Sequence, residues 1–302
     1  MLLRSMPDIS PVNTQFRSWF YARWGRENCI ILGRSRDAQY ATFRQRLSIK
    51  MAFGGTERYF VDGRSVAVDD ESYLVLNDNR CYGSSIDATN EVESFSIFFR
   101  PGFIEEMFGA ASTPVNRICE PHSSKPVEFC ERLQPQDGTV TPVMRFIRHH
   151  IERGVSDEAW YEEQLQVLAA RLLLQQRRIR RQSLRLDCVK ISTRQELQRR
   201  LGLATDYILS NYERELTLEQ MASAACLSSF HFMRLFQRMH GLTPLQFLYR
   251  KRIQVAVRLQ RRGDVRMQDI ASLVGFNSRA TFYRQLRRWQ HVASWNVEAP
   301  LT

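Results

Sequence analysis

One pattern is written twice near the C-terminal end of this 302-residue chain. Residues 221–241 read MASAACLSSFHFMRLFQRMHG, and residues 270–290 read IASLVGFNSRATFYRQLRRWQ. Met221-Ala222-Ser223 aligns with Ile270-Ala271-Ser272 at an offset of 49, whereas Phe232, Arg234 and Phe236 align with Phe282, Arg284 and Leu286 at an offset of 50. The one-residue change falls between the two runs, where a turn absorbs an insertion at least cost. Each copy therefore reads as one supersecondary unit, repeated.

Each copy also has what a helix-turn-helix requires. Small residues (Ala222, Ala225; Ala271) let two helices approach closely, and an apolar turn residue (Leu227; Phe276) plugs the corner. Ser228, or Asn277-Ser278, caps the helix that follows. In that second helix Phe232, Leu235 and Phe236, or Phe282 and Leu286, lie at helical spacing and face the core. The opposite face carries Ser229, Phe230, Met233 and Arg234 in the first copy and Arg279, Ala280, Thr281 and Arg284 in the second. These eight are the candidate DNA-contacting residues. The competing reading is a helical hairpin whose basic face meets only water.

Between the copies lies TPLQFLYRKRIQVAVRLQRRG, residues 243–263. Thr243 suits an N-cap, Pro244 the first helical position and Gly263 the C-terminal stop. A helix of about 18 residues spans roughly 27 Å. On such a strut two recognition helices sit about one DNA turn apart, near 34 Å, once their own offsets are added.

The formal charge of +11 is unevenly placed: it is −3 over residues 1–176, +7 over 177–200 and +7 over 201–302. A mildly acidic domain joined to a basic one that meets a polyanion fits this division, and a solvated basic surface fits it too. Three segments are expected: a domain at 1–175, a basic linker at 176–200 and a C-terminal domain at 201–302.

The run that matches LxxMAxxAxLSxxHFxRLFQxxxGxTPxxFL, continued by a helix and then DIASLVGFNSRATFYRQLRR, resembles the C-terminal domain of the AraC/XylS family of transcription regulators. The resemblance covers about 80 residues, roughly 215–290. It departs from the family after the second recognition helix, where RRWQHVASWNVEAPLT replaces the usual Gly-x-x-Pro segment. The resemblance implies an α+β protein: an N-terminal cupin-like β-barrel or sandwich with a helical linker, then an all-α domain with two helix-turn-helix motifs. It implies a homodimeric regulator, usually an activator, that binds double-stranded promoter DNA, works with RNA polymerase and responds to a small-molecule effector. Arg234 and Arg284 are the candidates for guanine edges, Phe230, Met233 and Thr281 for thymine methyls, and the helix N-termini near Ser229 and Ser278 for phosphates.

The N-terminal part is expected to be β-rich from about Phe43 to Arg100. RSVAV, YLVL and SFSIFF are short, rich in β-branched and aromatic residues, and separated by GG, VDG, DDE and NDN clusters. A short helix at GFIEEMFGA, a Pro-containing connection and a helical region from Pro142 follow. There Tyr161, Leu165, Leu168, Leu172 and Ile179 form a seam that packs either on its own domain or on a second chain.

Residues 1–121 hold no histidine, so a metal-dependent cupin enzyme carrying an accessory DNA-binding domain is the weaker alternative. The adjacent pair His149-His150 suits two ligands poorly, because neighbours on a helix point about 100° apart. No phosphate loop, dinucleotide turn or nucleophile elbow is present, so neither a catalytic residue, a cofactor nor a metal is expected. Arg34, Arg36, Arg44 and Arg46 either offer guanidinium forks to an acidic effector or lie on a solvated strand face. The six cysteines show no C-x-x-C spacing and are expected as free, mostly buried thiols. No apolar run approaches the roughly 18 residues of a membrane span, and MLLRSMPDIS lacks the apolar core of a signal peptide, so a cytoplasmic protein is expected.

Overall fold

The computed structural model describes residues 1–8, 12–112, 127–186, 190–263 and 265–295. The chain divides into two compact units, Met1–Arg177 and Arg178–Thr302.

The first unit is built on an antiparallel sheet framed by two long strands, β2 (Cys29–Gln45) and β7 (Arg80–Phe98), paired along most of their length. The pairing slips between Ser35 and Asp37 and again between Tyr40 and Phe43, and such bulges bend both strands. The two halves of β7 then carry different neighbours. Its C-terminal half pairs with β3 (Ser48–Phe53), which continues to β6 (Ser72–Leu76) and β8 (Leu133–Pro135). Its N-terminal half pairs with β4 (Glu57–Val61), which pairs with β5 (Arg64–Val68). A two-residue strand, β1 (Leu2–Leu3), runs parallel to β2, and α1 (Thr14–Arg23) precedes β2.

One face of this sheet packs on α2 (Phe103–Ser112), α3 (Thr141–Glu152) and α4 (Glu158–Ser183). Ile49 and Met51 of β3 and Phe95 and Ile97 of β7 meet Met144, Ile147 and Ile151 of α3 and Tyr161, Leu165, Leu168 and Leu172 of α4. These four positions of the α4 seam thus pack on their own domain. The expected linker region is carried by the end of α4 and the first half of α5 (Ile191–Ser210).

The second unit is all α. After α5 come α6 (Leu218–Ala224), α7 (Ser229–His240), α8 (Pro244–Arg262), α9 (Met267–Leu273) and α10 (Arg279–Trp295). The chain is therefore α+β, with two helix-turn-helix units at its C-terminal end.

The sheet begins earlier than the sequence suggests: β2 starts at Cys29, not near Phe43, and β8 lies in the stretch read as a connection. The polar middle of CIILGRSRDAQYATFRQ hides the strand, since residues 34–44 are at most half-buried. The expectation of mostly buried thiols also fails. Among the described cysteines Cys29 is buried, Cys130 half-buried, and Cys81 and Cys226 are exposed; Cys119 and Cys188 lie outside the described residues. Cys226 is exposed because it sits at the tip of a turn with φ 51°. Burial pushes the Cys29 thiol up to about 12.

Candidate nucleic-acid interface

The two C-terminal motifs repeat in geometry as well as in sequence. In the first, the Leu227 amide donates to the Ala222 carbonyl at 3.1 Å; in the second, the Phe276 amide donates to the Ala271 carbonyl at 2.9 Å. The turn residue before each has a positive φ, 51° at Cys226 and 87° at Gly275. All these pairs are 49 residues apart. Beyond the turn the offset becomes 50: Ser228 Oγ accepts from the His231 amide, and Ser278 Oγ from the Thr281 amide, each at 3.4 Å. Asn277 is the extra residue, and it lies in the turn.

Core packing fixes which face of each second helix turns outward. On α7, Phe232, Leu235, Phe236 and Met239 are buried, and the Phe232 and Phe236 rings meet edge to face. On α10, Phe282 and Leu286 are buried, with Phe276 stacked on Tyr249 and set edge to face against Phe282. Ala222, Ala225 and Ala271 are buried where the helices approach. The opposite faces are open. Phe230 is 71% exposed and Met233 37%, Arg234 is exposed and Ser229 half-buried; on α10 Arg279, Ala280 and Arg284 are exposed and Thr281 half-buried. Six of the eight are thus exposed, and Ser229 and Thr281 are half-buried.

Those arginines are electrostatically uncommitted. Among the described residues none of Arg234, Arg279, Arg284, Arg287 and Arg288 is in an ion pair; Arg284 makes only a 3.4 Å contact with Thr281 Oγ1. By contrast Arg199 and Arg200 of α5 are held by Glu196, whose carboxyl they pull down to about 2. Arg200 also donates to the Cys226 carbonyl at 3.3 Å, tying α5 to the first turn.

The strut between the motifs is α8. Thr243 forms a capping box with Gln246, Pro244 occupies the first turn, and Gly263 closes the helix with φ 74°. Nineteen residues give about 28 Å of helix. The basic run RKR on α8 is not a solvated face, because Lys251 and Arg252 are almost fully buried. Arg252 donates from Nε to the Tyr212 carbonyl and from a terminal nitrogen to the Arg214 carbonyl, each at 2.7 Å, and its guanidinium lies 5.5 Å from the Phe276 ring. Burial lowers its pKa.

A helix-turn-helix domain family matches residues 221–293. Among curated proteins the chain is 34% identical over 76 residues to the HTH-type transcriptional regulator AlkR of Acinetobacter baylyi, covering 25% of each chain. It is 33% identical over 92 residues to the RCS-specific HTH-type transcriptional activator RclR of Escherichia coli strain K12, covering 30% of this chain and 32% of that one. Residues 221–293 are an AraC/XylS-family DNA-binding domain. The chain spans about a quarter to a third of the length of these two relatives. A solved structure of ToxT from Vibrio cholerae aligns with 87% of this chain and 93% of its own at 12% identity, with a TM-score of 0.33, too loose a likeness to carry an argument.

The unit preceding the AraC-type domain contains a small cavity that the sequence does not announce. It measures about 60 Å³ and lies on the sheet face opposite α2–α4, between the limbs carried by β7. None of Arg34, Arg36, Arg44 and Arg46 lines it. Arg34 is engaged with Glu93 at 2.7 Å and Glu152 at 3.4 Å, Arg46 with Asp78 at 3.7 Å, and Arg36 and Arg44 are exposed. The cation that does line it is Lys50 of β3, fully buried, whose ammonium lies 3.4 Å from the Phe98 ring centroid and 5.4 Å from that of Tyr82. Burial pushes Lys50 down to about 7 against the opposing pull of Glu57. The His149-His150 pair is elsewhere: the His150 ring stacks on Trp160 at 4.7 Å and contacts Phe146 at 4.2 Å.

Proposed function

We propose that this chain is a DNA-binding transcriptional regulator whose two recognition helices, α7 and α10, enter successive major grooves on one side of a promoter duplex. The observation that carries the reading is the repetition of cap, turn and outward arginine face in both motifs, joined by one uninterrupted helix. Arg234 and Arg284 hydrogen-bond guanine edges, and Phe230, Met233 and Thr281 contact thymine methyls. Arg279, Ala280 and Ser229 lie at the helix N-termini, where backbone amides and the helix dipole hold phosphates. The protein is not an enzyme: it acts as a homodimeric, cytoplasmic activator alongside RNA polymerase, and the printed name of RclR supports the sign of regulation. Val167 and Leu174, exposed and seven residues apart on α4, supply an apolar stripe for the dimer. A small-molecule effector bound in the first unit sets how the DNA-binding domains are presented. No helix among the described residues is long and apolar enough to cross a membrane.

The test is selection of bound sequences from random or genomic DNA by the full chain, with and without candidate effectors. An enriched motif with two half-elements about one helical turn apart supports the reading. Absence of any sequence preference at moderate salt in a folded protein sinks it. Within that assay Arg234→Ala and Arg284→Ala each cost about 1 to 3 kcal/mol and relax base preference at one element only. Arg287, exposed on α10, holds a phosphate in this reading, so Arg287→Ala weakens all sequences alike and reduces the salt slope by about 1.

A further inference from the structure

The cavity of the first unit holds two buried ionisable groups that the protein meets only in part. Lys50 makes no hydrogen bond or ion pair among the described residues; its ammonium meets only the rings of Phe98, Tyr82 and Tyr59. Glu57 of β4, also almost fully buried, has one carboxylate oxygen, Oε2, with no hydrogen-bond partner. Both residues line the same space, with Ser84, Ser94 and Ser96 of β7 along its wall. Tyr59 meets Glu57 in part, but the Lys50 ammonium has no hydrogen-bond acceptor and Glu57 Oε2 no donor, and buried polar atoms left so cost stability unless something else meets them. What meets both must present an anion to Lys50 and a donor to Glu57, and must be small. Roughly 10–15 Å³ admits one water, so about 60 Å³ takes a solute of a few heavy atoms.

We propose that the interior of the first unit binds a small carboxylic acid that also carries a hydroxyl or amino donor, its carboxylate on Lys50 and its donor on Glu57. This rests on the reading that the first unit holds the effector, and it names the chemical class. The aromatic box around Lys50 keeps the cation dry and in place. The ion pair it makes with a ligand is therefore strengthened by low dielectric, and the ligand's carboxylate replaces solvation that the fold has already removed. A carboxylate alone leaves Glu57 Oε2 without a donor and sets two carboxyl groups side by side. A diol alone leaves Lys50 unmet.

Thermal unfolding of the full chain with four probes of matched size tests this: L-lactate and L-alanine carry both groups, propionate lacks the donor, and propylene glycol lacks the carboxylate. Lactate or alanine raises the melting temperature of the first unit saturably by several degrees, as binding to the native state requires, and propionate and propylene glycol raise it by less than half as much. Lys50→Met fills the same space with an apolar side chain and removes a buried charge, so it folds at least as well as the parent and loses the response to lactate and alanine. Glu57→Gln keeps a response to carboxylates but loses the advantage of lactate over propionate. The proposal is overturned if neither lactate nor alanine stabilises more than propionate and propylene glycol, or if Lys50→Met responds like the parent. A protein that selects a DNA sequence yet ignores all four probes removes this inference and leaves the DNA reading intact; one that binds the acids but selects no sequence does the reverse.

Discussion

Gly275→Ala lowers the stability of the C-terminal unit by about 2 to 5 kcal/mol in urea or thermal unfolding. Two effects add. At φ 87° the residue is left-handed, which costs an L side chain about 1 to 2 kcal/mol. A Cβ there also stands 2.6 Å from the Glu213 carbonyl oxygen and 2.8 Å from that of Tyr212, both backbone atoms that move only if the loop between α5 and α6 moves, an overpacking worth about 1 to 3 kcal/mol. Gly263→Ala separates the two contributions. Its φ is 74°, but nothing lies within 4 Å of the added Cβ, so it loses only the first. Equal losses at both positions would show that the close approach of backbones at Gly275 is immaterial. The first motif manages the same turn with Cys226 at φ 51°, so the glycine requirement belongs to the second motif.

Arg252→Met destabilises the same unit by about 2 to 4 kcal/mol. The substitution removes two charge-assisted hydrogen bonds, each worth about 1.5 to 3 kcal/mol, and leaves the Tyr212 and Arg214 carbonyls facing an apolar side chain. Relief from burying a guanidinium returns part of that loss, which is why the expected figure is below the sum. Arg252→Lys recovers less than half, since a compact ammonium cannot span two carbonyls as the planar fork does. Urea unfolding of the three proteins decides it: a methionine variant as stable as the parent would deny Arg252 its role. Because Arg252 also lies against Phe276, a loosened loop disturbs the second motif, and on the proposed reading DNA sites lose their second half-element before their first.

Much of this was legible in the sequence, for local reasons. Thr243, Pro244, Gly263, Ser228 and Ser278 act within a few residues of themselves, so their caps follow from the order of residues alone. The outward faces of α7 and α10 follow from Phe232, Phe236, Phe282 and Leu286, whose spacing leaves only one side to bury. Lys50 was hidden for the opposite reason. In SIKMAF the alternation places Ser48 and Lys50 opposite Ile49 and Met51, and such a pattern ordinarily means one face in water. Alternation reports which side is apolar, however, not which side is wet. In this strand the polar side is roofed by β4, β5 and β7, so all of Ser48–Ala52 is buried. Arg252 was obscured likewise, because its partners are carbonyls 40 and 38 residues away, and a basic run carries no mark of a long-range backbone contact. The cavity residues come from β2, β3, β4 and β7 with Phe20 of α1 and the segment before it, a convergence that only the fold creates.

The unbroken course of α8 from Pro244 to Arg262 dictates how forgiving a genomic target can be. One residue added to such a rod swings everything beyond it by about 100°, whereas one base pair added to a duplex turns it by about 35°. The two increments share no small common multiple, and a helix with no internal joint cannot twist to reconcile them. On the proposed reading, promoters that this chain occupies hold a single gap length between their two elements, and a lengthened gap silences the distal element outright.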